Sequence, residues 1–265
     1  MKNKLLFCLV SGSFLLMNCS SDDRFDEPVK VKEKKLLLSK ISSVYYDNPE
    51  NPETTISTLT YNDKGEMVKS NSEDGISVFE YDTDGKPLKA LYYNNNILAY
   101  TSIYKYSGDK LTSVKSVYDN PNFNREFSFT YNSVGKVTST KLCQGENCNN
   151  PSTTTYTYIE DNISVETSSW GMSSTKRDYQ YDDHVNPFHY TNSYLKLVMG
   201  GAYVMSKNNY TTEKISNKNS DGTWLQSQAI TYSFQYNSEK LPTEVIGKDQ
   251  NGNNYVKYNY EYILK

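Results

Sequence analysis

One short unit built on tyrosine recurs along this chain and limits what it can fold into. It consists of an aromatic or large apolar residue, one residue of any type, Tyr, a turn rich in Asn, Asp and Gly, then often Lys and an apolar residue. Clear copies are Leu59-Thr60-Tyr61-Asn62-Asp63-Lys64-Gly65, Phe79-Glu80-Tyr81-Asp82-Thr83-Asp84-Gly85, Tyr104-Lys105-Tyr106-Ser107-Gly108 and Phe129-Thr130-Tyr131-Asn132-Ser133-Val134-Gly135. Weaker copies surround Tyr158, Tyr181, Tyr210 and Tyr236, so the intervals between anchoring tyrosines run from 20 to 29 residues.

A spacing of about 25 residues holds two strands and two turns. Residues i and i+2 of a strand share a face, so each aromatic-x-Tyr pair sets two rings side by side, as in Phe127-x-Phe129-x-Tyr131 and Tyr258-x-Tyr260-x-Tyr262. Asn, Asp and Gly tolerate the positive φ of tight hairpins, and Gly65, Gly85 and Gly135 fall where that residue is wanted. Eight such units predict an all-β fold, an antiparallel meander of repeated hairpins with about 16 strands. A flat sheet of that width would leave long open edges, so the expected form is curled, a soluble barrel or a half-open roll. A lipid-embedded barrel needs an apolar outer band about 25 Å tall. The mean hydropathy of −0.73 argues against one, as do strands such as Thr153-Thr154-Thr155-Tyr156-Thr157-Tyr158.

The pattern Tyr-Asn/Asp-x-x-Gly-Lys-apolar resembles the tyrosine-aspartate repeat of the Rhs shell proteins. Taken with the amino terminus described next, it is closer to surface lipoproteins of the Bacteroidetes type that carry such repeats. The resemblance covers roughly Ile56 to Lys265. In Rhs proteins the repeats build a large hollow shell around a toxin, but this chain has too few for that, so the resemblance implies a fold more than an activity.

Met1-Lys2-Asn3-Lys4 gives a positive start, and an apolar run from Leu5 to Met17 follows, broken only by Ser11, Gly12 and Ser13. That is signal-peptide length, short of the roughly 20 apolar residues that cross a bilayer. The run ends in Leu16-Met17-Asn18-Cys19, which resembles the lipobox of bacterial lipoproteins, although Asn18 departs from the usual small residue. The expected organisation is a lipoprotein signal peptide over 1–18, lipidation at Cys19, a polar tether over 19–35 and a β-repeat domain over 36–265. The resemblance implies a place at the outer membrane or cell surface, held to the membrane through the N-terminal lipid.

With Cys8 in the signal and Cys19 acylated, Cys143 and Cys148 remain as a pair in an oxidising compartment, and a disulfide across Gln144-Gly145-Glu146-Asn147 is expected. A net charge of −3 for the whole chain becomes more negative once Lys2 and Lys4 leave, which argues against nucleic acid as a partner. The acidic turns Asp82-Thr83-Asp84-Gly85, Asn219-Ser220-Asp221-Gly222 and Asp249-Gln250-Asn251-Gly252 echo the start of a calcium loop but lack its closing Glu, so turn geometry accounts for them without a metal. His184 and His189, with Asp182 and Asp183, are the only residues that suggest acid–base chemistry, and they carry the alternative reading of a surface hydrolase. Trp170 and Trp224 stand outside the repeat pattern as half-buried strand residues or, if exposed, as platforms for a ligand. The expectation is therefore a non-catalytic envelope protein without a cofactor, presenting a β surface to a protein partner or a glycan. A purely structural spacer is the remaining alternative.

Overall fold

The computed structural model describes residues 34–145 and 147–265. The expected signal at 1–18, the acylation site Cys19 and nearly all of the tether at 19–35 lie outside the described residues. The strands are β1 (Leu36–Tyr45), β2 (Glu53–Tyr61), β3 (Met67–Ser72), β4 (Gly75–Tyr81), β5 (Pro87–Asn94), β6 (Ile97–Ser107), β7 (Lys110–Tyr118) and β8 (Arg125–Tyr131). They continue as β9 (Val137–Gln144), β10 (Ser152–Ile159), β11 (Asn162–Trp170), β12 (Ser173–Val185), β13 (Asn208–Lys218), β14 (Trp224–Tyr236), β15 (Pro242–Lys248) and β16 (Asn254–Leu264). Each pairs antiparallel with its neighbours in sequence, and β1 pairs with β16 from Leu36 opposite Leu264 to Tyr45 opposite Val256, so the sheet closes into a barrel.

Strand alternation divides the side chains between two environments. On β4, Phe79 and Tyr81 face the interior with Ala90 of β5, whereas Glu80 faces out and pairs with Lys89 at 3.0 Å. Further outward ion pairs join Lys40 to Glu261, Lys257 to Glu244 and Lys176 to Asp178, among Thr, Ser and single apolar residues such as Ile103. The outer wall thus mixes paired charges with hydroxyl and apolar side chains. Inside, Leu111, Ile163, Val114, Phe129 and Val137 form a continuous core with the repeat tyrosines.

The repeat explains the hairpins at one end of the barrel. Asn62 Oδ1 accepts the amides of Lys64 and Glu66, both at 3.0 Å, and Gly65 takes a φ of 81°. Asp82, Asn132 and Asn237 cap their turns in the same way, and Asp249 does so at the opposite end. In each of these hairpins a register shift falls just before the turn, as between Thr60 and Tyr61. The repeat tyrosine then reaches back across its own hairpin or its neighbour. Tyr61 donates to the Leu38 carbonyl, Tyr81 to Met67, Tyr106 to Pro87, Tyr131 to Leu111, Tyr158 to Val137, Tyr181 to Ile163 and Tyr262 to Pro242, at 2.5–2.8 Å. Every donor sits near the end of an even-numbered strand and every acceptor near the start of the preceding odd-numbered one. Each bond supplies a buried or half-buried carbonyl with a donor, a contribution of about 1 kcal/mol apiece.

Tyr210, expected as an anchoring tyrosine, is not a member of this series: it lies near the start of β13 and faces Tyr181. Tyr262 takes the last place in the series instead. The long interval between Tyr181 and Tyr210 holds a plug with two short helices, α1 (Ser193–Met199) and α2 (Ala202–Met205). Phe188, Leu195, Ala202 and Val204 of this segment are buried in the barrel core. The plug is tied to the surrounding turns by Asn192 to the Gly85 carbonyl at 2.9 Å, Tyr194 to the Asp109 carbonyl at 3.0 Å and the Lys207 amide to the Asp161 carbonyl at 3.2 Å. It closes the end of the barrel at which β1 begins. At the opposite end, Cys143 and Cys148 form the expected disulfide between β9 and β10, with a Cα separation of 4.8 Å.

Candidate functional site in the barrel lumen

Above the plug the lumen holds a cavity of about 620 Å³. Asn186, Pro187, Phe188 and Tyr203 of the plug form its floor. Its walls are the inward residues of strands that meet across the closure: Ile41, Ser43 and Tyr45 of β1, Thr55 and Ser57 of β2, Tyr232 and Phe234 of β14, and Tyr258 and Tyr260 of β16. Glu53, Ser72, Glu73 and Asp74 stand at the end away from the plug.

The floor is held rigidly. Buried Asn186 donates to the carbonyls of Ser206 and Val204 and accepts the Phe188 amide at 2.8 Å. Buried Ser206 accepts the Ile163 amide at 3.0 Å and contacts the Tyr181 hydroxyl at 2.9 Å. Along the wall, Tyr210 packs edge-on against Tyr232 with ring centres 4.9 Å apart, and Tyr45 meets Tyr258 edge-on at 6.5 Å. Burial pushes the Tyr210 and Tyr260 phenols far above their ordinary range, so both stay neutral hydrogen-bonding groups. Gly247 of β15 gives the Tyr232 ring its place, because a Cβ there would meet that ring at 2.8 Å and the Val256 side chain at 2.9 Å.

Beside Tyr232 lies a buried charge cluster. The Arg177 Nε is 3.2 Å from Glu213 and its Nη1 3.8 Å from Glu166, while the Tyr232 hydroxyl donates to Glu213 at 3.1 Å. One guanidinium faces two carboxylates, and Glu166 Oε2 has no hydrogen-bond partner. Burial raises both carboxyl pKa values, with Arg177 opposing the shift.

The residues singled out from the sequence do not converge on the lumen. Trp170 ends β11 and is 65% exposed, not half-buried, because it sits at the strand's open tip. Trp224 begins β14 and lies under the ammonium groups of Lys176 and Lys218. His184 stacks on Tyr236 with ring centres 4.2 Å apart and binds Asp183 at 2.6 Å, while Asp182 takes bonds from Tyr236 and Asn209. His189 lines a separate cleft at the plugged end. His184, Asp182 and Asp183 thus gather around Tyr236 while His189 stands apart, so the two imidazoles do not share one site. Among the described residues no group of three or more His, Cys, Asp and Glu could hold a metal ion. What sequence reasoning missed is the lumen wall itself, made of common Ser, Thr and Tyr residues from distant strands. The only signal for its floor was the unusual length of the Tyr181–Tyr210 interval.

Neither a family model nor a curated protein matches the chain. Among solved structures, a porin-like protein from Bacteroides uniformis is similar over 86% of this chain and 98% of its own, with 14% identity and a TM-score of 0.57. A porin-like protein from Bacteroides vulgatus is similar over 86% of this chain and 99% of its own, with 8% identity and a TM-score of 0.49. The Bacteroides uniformis protein shares the overall fold of this chain.

Proposed function

We propose that the chain is a non-catalytic envelope protein, lipid-anchored through Cys19 at the outer membrane or cell surface, whose lumen receives a glycan. The observation that carries this reading is the cavity, about 620 Å³ of tyrosine faces interleaved with Ser, Thr and Asn. Aromatic faces pack against the apolar faces of sugar rings, and hydroxyl and amide groups satisfy sugar hydroxyls. The likeness to a porin-like barrel from Bacteroides uniformis supports an envelope setting. The outward ion pairs support a barrel standing in water on its lipid anchor, since Lys or Arg facing lipid costs about 2–4 kcal/mol at the bilayer midplane.

Glycan-array screening of the mature chain tests the lumen, followed by calorimetry of any hit against Tyr258→Ala and against Trp170→Ala. Loss of binding in the first and retention in the second is expected. A blank array counts against the glycan, and loss only with Trp170→Ala transfers the binding to the exposed rim. That rim favours the second reading, a protein partner, because an indole 65% exposed at the open end is suited to anchoring one. The anchor has its own test: Cys19→Ala should move the protein from membrane to soluble fractions, and persistence in membranes would remove the lipid from the account.

A further inference from the structure

A second cavity, of about 500 Å³, lies at the plugged end between α1 and the turns that open β7, β9 and β11. Its charge is opposite to that of the lumen. The lumen cavity is lined by Glu53, Glu73 and Asp74 without a cationic side chain, whereas this cleft is lined by Lys110, Lys136, Lys196 and Lys207 against Asp109 and Asp161. Both aspartates already have partners: Asp109 binds Lys86 at 2.7 Å, and Asp161 binds Lys136 at 3.0 Å. Lys110, Lys196 and Lys207 therefore face the cavity without an ion-pair partner among the described residues, Lys110 resting over the Tyr131 ring.

Three ammonium groups around one concavity repel one another, Asp161 easing only Lys207, and Lys196 is the least comfortable of them. It lies on the plug, partly covered, and burial lowers its pKa with no anion to oppose the shift. An incoming oxyanion would reverse that balance, accepting charge-assisted hydrogen bonds from these ammonium groups. The chain also enters the barrel at this end, where the Lys35 amide binds the Lys265 carbonyl at 2.7 Å. We propose that this cleft binds a phosphate oxyanion, carried by an anionic lipid headgroup or by a soluble phosphate ester. The site is independent of the lumen reading, and only the lipid source draws on the proposed anchor.

The test uses the full mature chain with Cys19→Ala, so that its own lipid does not interfere, and two probes. Inorganic phosphate is titrated while the His189 ring signals are followed by NMR, and sedimentation is measured with phosphatidylcholine vesicles containing or lacking phosphatidylglycerol. Saturable phosphate binding is expected, about tenfold weaker in Lys196→Gln and in Lys207→Gln, retained in Lys196→Arg and unaffected by Lys69→Gln on the outer wall. Sedimentation with the anionic vesicles alone, competed by phosphate, identifies the headgroup as the source, and phosphate binding without sedimentation identifies a soluble ester. Binding that is absent with both probes, or that is insensitive to the two cleft lysines while thermal melts show folded variants, overturns the proposal.

Discussion

The hydroxyl of Tyr236 donates to the carboxylate of Asp182, where seven other repeat tyrosines donate to a backbone carbonyl. The exception falls where the plug interrupts the pattern and β13 begins with Asn208 and Asn209. Asn209 binds the same carboxylate and also the carbonyls of His184 and Val185, so Asp182 takes the acceptor's role that a backbone carbonyl plays elsewhere.

The two kinds of tyrosine should respond differently to loss of the hydroxyl. Tyr131→Phe leaves the Leu111 carbonyl without its 2.7 Å donor and should cost about 1 kcal/mol in urea unfolding. Tyr236→Phe removes a donor from a carboxylate and should cost about 2 kcal/mol. Equal values near zero for both would contradict a stabilising role for the series.

Glu166 competes with Glu213 for Arg177, and burial raises both carboxyl pKa values. A raised folded pKa means stability present below the ordinary value near 4.5 and lost as pH rises through the folded values. Glu166→Gln keeps the Arg177–Glu213 pair and removes one buried charge. It should stabilise the barrel by about 1 kcal/mol at neutral pH and flatten the stability–pH curve over that window. Destabilisation at neutral pH would show that Arg177 needs both carboxylates.

His189 has the opposite sign. Partial burial, then Lys196, Lys207 and Lys35, hold its imidazole below the ordinary 6.5, so its contribution is present above that value and lost as pH falls through the lowered folded one. NMR titration should place its midpoint below 6.5, and neutralising Lys196 should move it upward. A midpoint unchanged in Lys196→Gln would separate the two groups electrostatically.

The Cys143–Cys148 bridge closes a short loop, five residues apart in sequence, so reduction should cost at most about 2 kcal/mol and leave the barrel folded. Thiol reagents should label neither cysteine before reduction and both after it. Labelling of the oxidised protein would refute the bridge.

The strand number, the antiparallel order and the turn chemistry were legible in the repeat because Asn62, Asp82 and Asn132 act within five residues of themselves. Closure was open between two forms until β1 and β16 were seen paired, since nothing local specifies a contact between Leu36 and Leu264. The tyrosines were readable as inward-facing, but an i, i+2 pattern names a face and not a partner, so the bond from Tyr131 to Leu111 was hidden. Tyr210 was misplaced for the same reason: its spacing fits the period, while its strand runs in the other direction. The candidate site was almost illegible, because Ser43, Thr55 and Tyr258 acquire meaning only when β1, β2 and β16 are brought together.

Ring closure also orders events in time. As the chain emerges amino end first, β2 through β15 can pair with neighbours as they appear, but β1 must hold one edge open until Asn254–Leu264 has been made. The first of these strands to be made is thus among the last to be satisfied on both sides, and its apolar Leu36, Leu37 and Leu38 stay vulnerable to other chains until then. A truncation that removes only the final strand would forfeit far more than its own length, turning a barrel without edges into a sheet with two.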